Sequence, residues 1–248
     1  MIYIKKGPPP RQMARMVSEI KSGQEWKKIK AGDTKAIREK FDQLPKEVIR
    51  ESLLEEQHYL CAYCMRRIKN DGRNTTIEHW YPLSKDKERA LDYGNMLAVC
   101  DGGRSRKGKR RKVLCCDASK GNESKLTVSP MDCQQMKKII YDKEGFIRTS
   151  PRDEDMEKDI KNVLRLNGMW KNGQFIADTS TELVKGRKDA YLRYKKAVKK
   201  LGDKKMCTSA KIKKIIREIE MEEQRPEFAG VLLYFFNKKY HELVKRGL

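Results

Sequence analysis

The stretch that decides the fold opens with Cys61-Ala62-Tyr63-Cys64, passes through Thr75-Thr76-Ile77-Glu78-His79-Trp80-Tyr81-Pro82 and closes on Cys100 and the pair Cys115-Cys116. Cys-x-x-Cys is the spacing at which two thiolates reach one zinc ion from a tight knuckle, although a redox pair shares it. Cys100 with either Cys115 or Cys116 supplies a second half, completing the four thiolates of a tetrahedral zinc that contributes folding energy outright. The residues between them are Gly-rich and basic, with Arg104, Arg106, Lys107, Lys109, Arg110, Arg111 and Lys112, and this loop must bulge away from the metal. Cys133 and Cys207 lie far from the others and read as ordinary semi-buried thiols.

The run up to Tyr81 is β-prone, and Pro82 is consistent with an early stop. On a regular strand Glu78 and His79 point to opposite faces, so both serve one site only where the strand bends or terminates. The chain holds three histidines. His58 and His241 stand alone and read as structural, whereas His79 follows an acid and is bracketed by cysteine pairs. Downstream come Asn95, in Asp92-Tyr93-Gly94-Asn95-Met96-Leu97, and Asp117, directly after Cys116.

In that order the set resembles the HNH nuclease family, whose usual form is Cys-x-x-Cys, then Asp or Glu with His, then Asn, then a second cysteine pair followed by Asn or His. It is most similar to the HNH nucleases of Septu and retron-associated antiphage systems, the PtuB-like group. Glu56-Gln57 ahead of the knuckle, Pro82 three residues after His79, Cys116-Asp117-x-x-Lys120-Gly121 and the wide gap after Cys100 carry that closer match. Ile160, Val163, Leu164, Leu166 and Asn167, followed by Arg187, are similar to the group's helical C-terminal part.

The resemblance implies an α+β chain, mostly helical, with a small zinc-stapled ββα-metal (HNH) core at 57–125. An N-terminal helical, partner-docking segment at 1–56 and a basic helical region at 126–248 flank it. His79 would be the general base, Asn95 would orient its ring, and Glu78 with Asp117 would hold a catalytic Mg²⁺ or Mn²⁺. Cys116 is favoured over Cys115 as the fourth zinc ligand because the metal-ligand acid follows it. Glu78 stands where many relatives have Asp, and Asp117 where many have Asn or His; both still offer an oxygen ligand. The implied substrate is DNA, with tRNA as an alternative. The implied partners are a PtuA-type ATPase and, in retron-linked systems, a reverse transcriptase with its RNA–DNA product.

Composition agrees with a nucleic-acid partner. Across 248 residues, 57 Lys and Arg face 35 Asp and Glu, a formal charge of +22. That field concentrates polyanions, but it fixes a partner class and not an activity. Lys120 joins the basic loop as a candidate phosphate contact. No stretch approaches the ~20 apolar residues of a membrane span, and the opening residues lack an apolar leader core. A cytoplasmic, reducing location is therefore expected, where clustered thiols bind metal rather than form disulfides.

Helices are expected over 11–60, with Asp33 or Thr34 capping one that runs to about Asp42. Pro45 then begins another, with Val48, Ile49, Leu53 and Leu54 on its apolar face. Ile160, Val163 and Leu164 share a face in 156–166, and Phe228, Val231, Leu232, Phe235 and Phe236 form a stripe in a last helix over 227–245, read as core. Lys185 to Lys214 is dense in charge, as either a solvated face or a phosphate-tracking one. Removal of residues 1–16 is expected to weaken partner association while leaving zinc content intact. The competing reading is a non-catalytic zinc-knuckle nucleic-acid-binding protein, which has no need of Glu78, His79, Asn95 and Asp117.

Overall fold

A computed structural model of the chain describes residues 1–104, 114–121, 124–171, 174–177, 181–203 and 207–248. Four helices lead in: α1 (Arg11–Ser22), α2 (Gln24–Lys28), α3 (Thr34–Asp42) and α4 (Lys46–Glu56). Asp33 caps α3 by accepting from Ala36 N–H at 3.1 Å, satisfying one of the first-turn donors that a helix leaves without a partner. Pro45 sits one position before α4 rather than within it. Ile49, Leu53 and Leu54 of α4 are fully buried, each worth about 1.5–3 kcal/mol of apolar transfer. Val48, expected on that face, is exposed: it lies one residue, a 100° turn, off the buried stripe.

The centre is a two-stranded antiparallel ribbon, β1 (Thr75–His79) against β2 (Met96–Cys100), with Thr75 opposite Cys100 and His79 opposite Met96. A short α5 (Lys87–Ala90) lies in the connection between the strands, and α6 (Cys116–Lys120) follows, giving strand, strand and helix in the expected order. Buried Gln57 straps α4 to the ribbon: its side chain accepts from Ala98 N–H at 2.8 Å and donates to the carbonyls of Leu60 and Ala98.

Beyond the centre come α7 (Cys133–Lys138), the hairpin β3 (Ile139–Tyr141) and β4 (Ile147–Thr149), and α8 (Glu154–Lys158), which runs into a π-helical turn at Asp159–Val163. A third hairpin, β5 (Gly168–Lys171) with β6 (Gln174–Ala177), precedes α9 (Leu183–Asp203), α10 (Ser209–Met221) and α11 (Ala229–Lys245). The chain is thus a mostly helical α+β structure.

One apolar cluster draws residues from all three sequence segments, from Met1 and Ile4 through Leu97 to Phe236 and Leu243. The last helix's stripe is core, with Phe228, Val231, Leu232 and Phe236 buried and Phe235 packed against them. The opening segment is core as well: Met1 and Ile4 are buried, and Ile4 N–H donates to Pro130 O at 2.9 Å. Deleting residues 1–16 therefore uncovers the core, which the sequence-based expectation did not foresee. Cys133 is exposed rather than semi-buried, while Cys207 is half-buried. Among the described residues, no helix is long and apolar enough to cross a membrane.

Candidate active site

The knuckle forms because the chain turns back on itself after α4. Cys61 N–H donates to Arg66 O at 2.8 Å, Met65 N–H donates to Cys61 O at 2.9 Å, and Met65 adopts positive φ to close the turn. Tyr63, inside the knuckle, is fully buried. On the far side Gly102 (φ +63°) lets the chain leave β2: a Cβ there would lie 2.3 Å from Cys115 O and 2.4 Å from the Ala118 Cβ, so only glycine fits. Cys116 also has positive φ, and its N–H donates to Leu164 O at 2.9 Å, tying the start of α6 to the π-helical turn.

These turns bring Cys61, Cys64, Cys100 and Cys116 together, all buried, with their sulfurs within 4.8 Å of one another. Cys61 and Cys116 are 3.9 Å apart and Cys64 and Cys100 3.7 Å apart. A tetrahedron with metal–sulfur bonds of about 2.3 Å has edges of about 3.8 Å, so the cage is already sized for zinc. Cys100 N–H points at Cys61 Sγ at 3.3 Å. Burial works against ionisation of Cys61, but hydrogen bonds from the sulfurs of Cys100, Cys116 and Cys64 hold its thiol well below the ordinary value. Cys116, not Cys115, completes the group of four, although Cys115 is buried beside it.

At the other end of the ribbon, Thr76, Ile77, Glu78 and His79 all line one cavity of about 80 Å³, with Arg38, Pro82, Leu83, Asp117, Lys120 and Gly121. Four consecutive residues of a strand can face one space only along its unpaired edge, since their side chains alternate. The strand therefore need not bend: Glu78 and His79 keep regular register with Leu97 and Met96 and meet around the edge.

The His79 ring is buried, edge-on to Phe41 with centroids 4.6 Å apart, and its Nε2 lies 3.0 Å from Ala90 O. A carbonyl only accepts, so Nε2 carries the proton and Nδ1 keeps the lone pair. Burial lowers the His79 pKa to about 4 against the pull of the Ala90 carbonyl, with Arg38, Lys46 and Lys120 adding to the fall, so the ring is neutral at pH 7. Asn95 does not touch it. Its side chain accepts from Tyr81 N–H at 2.8 Å and donates to Tyr81 O and Arg89 O, bracing the loop that ends in Ala90. The ring is oriented by the Ala90 carbonyl, and Asn95 acts on it only through that loop.

Glu78 is held by Lys120, whose buried ammonium pairs with Glu78 Oε1 and also donates to His79 O at 2.7 Å and Trp80 O at 3.3 Å. Tyr63 OH lies 3.4 Å from the same carboxylate oxygen. Burial pushes the Glu78 pKa up to about 8; Lys120 pulls it down and the adjoining Asp117 pushes it further up. Asp117, in the first turn of α6, also pairs with Arg104 at 3.4 Å. Lys120, read from sequence as a phosphate contact, thus has its charge buried against Glu78 and two carbonyls. Of the basic loop only Arg104 is described; Arg106, Lys107, Lys109, Arg110, Arg111 and Lys112 lie outside the described residues. His58 and His241 lie away from the cavity: His58 Nδ1 is 2.9 Å from Glu222 O, and His241 packs edge-on against Tyr240.

Two contributors escaped the sequence reading. Tyr63 is an unremarked middle residue of the knuckle, and its burial beside Glu78 follows only from the fold. Arg38 reaches the cavity because Ile37 beside it is buried with Leu83 and Ala90, docking α3 onto the loop that carries Ala90. No motif in α3 signals that docking. Compared with known proteins, the chain matches no family model and no curated protein.

Proposed function

We propose that the chain is a metal-dependent HNH-type endonuclease that hydrolyses phosphodiester bonds, with DNA as the favoured substrate and tRNA as the alternative. The observation that carries this reading is a neutral histidine with one nitrogen committed to a carbonyl and the other left basic, in a cavity shared with two carboxylates. A binding module built on the cysteine cage has no use for that set.

His79 Nδ1 takes the proton of the attacking water, help typically worth about 10²–10⁴-fold. The neutral ring suits the task, since a protonated imidazole has no lone pair to offer. Arg38, at the exposed side of the cavity, meets the non-bridging oxygens of the phosphate. Glu78 and Asp117 are the residues that would hold Mg²⁺ or Mn²⁺, a fit for hard oxygen-seeking ions that keep several waters and take few protein ligands. Both carboxylates are buried and line the same cavity, where they offer the oxygen donors such an ion takes. A cation held there would supply charge neutralisation at the phosphate. Zinc in the cage is structural.

The test incubates supercoiled plasmid, and separately total tRNA, with the protein and Mg²⁺ or Mn²⁺, beside a His79→Ala variant of equal zinc content. Cleavage by the wild type alone supports the nuclease; no cleavage by either, with or without a partner, sinks it. The resemblance extends the proposal to a role as effector in an antiphage complex with a PtuA-type ATPase, in some systems with a reverse transcriptase. Co-expression with such an ATPase and size-exclusion chromatography tests that role, and separate elution of the two chains contradicts it.

A further inference from the structure

A second cavity, of about 530 Å³, opens between the β3–β4 hairpin, α8 with its π-helical turn, and β6. Its size falls within the usual 300–1,000 Å³ of small-ligand sites. Phe146 and Phe175 form its aromatic side, with ring centroids 6.1 Å apart and Phe175 39% exposed. Arg148, Arg152 and Lys161 bring three cations to its lining.

Glu157 supplies the polar centre. Its Oε1 is used up by Thr149, accepting from the backbone N–H at 2.6 Å and from the hydroxyl at 3.0 Å. Its buried Oε2 is ion-paired with Lys161 Nζ at 2.8 Å, which fixes that lysine in the lining. The pairs of Arg148 with Asp142 at 3.2 Å and Arg152 with Glu154 at 3.7 Å are surface pairs that contribute little, so a phosphate competes readily for those arginines.

We propose that this cavity binds one unstacked nucleotide of a single-stranded nucleic acid, its base against Phe175 and Phe146 and its phosphates on Arg148, Arg152 and Lys161. Aromatic stacking tolerates every base, because every base has a π-face. The subsite therefore takes cytosine and thymine alike. It lies across α8 and the π-helical turn from the cage: Glu157 and Lys161 line it, while Ile160 and Leu164 pack into the core and Leu164 O holds Cys116 N–H. The proposal rests on nucleic acid being the chain's partner.

The experiment measures binding of fluorescein-labelled dC12 and dT12 by anisotropy, in the His79→Ala background without added divalent cation. The expected result is comparable binding of dC12 and dT12 by the parent, a loss of about five-fold or more for both in Phe175→Ala, and a similar loss in Arg148→Glu. Equal affinity of the Phe175→Ala and parent proteins for dC12, at equal zinc content, overturns the subsite. So does failure of the parent to bind either oligomer. Plasmid cleavage by the wild type, read in parallel, separates loss of the subsite from loss of the nuclease reading.

Discussion

The thiol cage and the histidine–carboxylate cavity share one ribbon and one short helix, yet they are built in opposite ways. Cys100, at the end of β2, pairs with Thr75, at the start of β1, whereas His79 ends β1 about 13 Å further along. Helix α6 joins the two, with Cys116 at its start and Lys120 at its end. The cage consists of like groups, fully buried and fixed by backbone turns. The cavity mixes charges of both signs, held by an ion pair, a carbonyl and a helix borrowed from the N-terminal segment. A closed set of identical ligands makes a metal part of the fold. An open edge with two carboxylates leaves room for a phosphate, and any cation it takes, on the function proposed above, would be exchangeable.

The strongest way to break this contrast is to open the cage. Cys61→Ser is expected to abolish stoichiometric zinc and cooperative unfolding together, because structural zinc contributes on the order of 10 kcal/mol to such folds. Cys115→Ser, by contrast, should keep one zinc and a cooperative melt. Atomic absorption and circular dichroism read both, and a zinc-replete, cooperatively melting Cys61→Ser protein would remove the distinction. His79→Ala comes next: a fall of about 10²–10⁴ in cleavage with zinc and melting temperature retained. Zinc loss in that variant would mean that the two sites are one unit.

What was legible in the sequence follows the same division. Cys61, Cys64, Cys100 and Glu78-His79 could be read because cysteines and histidines are rare residue types and stand here at telling spacings. Lys120 could not, because a lysine in a chain of +22 charge reads as a phosphate contact, and its partner Glu78 lies 42 residues away. Asn95 was placed in the right neighbourhood, but its partner was not: a side-chain amide bracing Tyr81 and Arg89 leaves no mark on spacing. Arg38 was illegible because its position depends on Ile37 packing against Leu83 and Ala90, a contact between distant segments. The strand question raised by Glu78-His79 had an answer, the free edge of a two-stranded ribbon, that requires knowing that no third strand among the described residues covers β1.

Lys120→Met sharpens the comparison from the cavity's side. Removing one member of a buried pair costs about 3–5 kcal/mol, and the low end is expected because Glu78, already pushed up to about 8, can take a proton instead. Chemical denaturation should report a loss of about 3 kcal/mol with zinc still bound. Glu78→Gln combined with Lys120→Met should recover part of it, since the carboxylate left alone is then gone. No recovery would mean that Lys120 acts through the carbonyls of His79 and Trp80 rather than through Glu78.

The smallest expected effect lies in the cavity's outer wall, where the Lys46 ammonium sits 2.9 Å over the Phe41 ring that packs against His79. Burial lowers the Lys46 pKa to about 7, against the pull of Asp42 and with help from Arg38 and Arg50. The unfolded chain binds this proton up to about pH 10.5 and the folded chain only to about pH 7. Between those values unfolding takes up a proton, so stability rises with pH across that window. Partial exposure lets water screen the ammonium, which limits the contribution to about 1–2 kcal/mol. Urea denaturation at pH 7 and pH 9.5 should show that rise in the wild type and a flatter profile in Lys46→Met. Identical slopes would show that the wall around His79 holds its lysine at no electrostatic cost, and the cavity would then resemble the cage more closely than its charges imply.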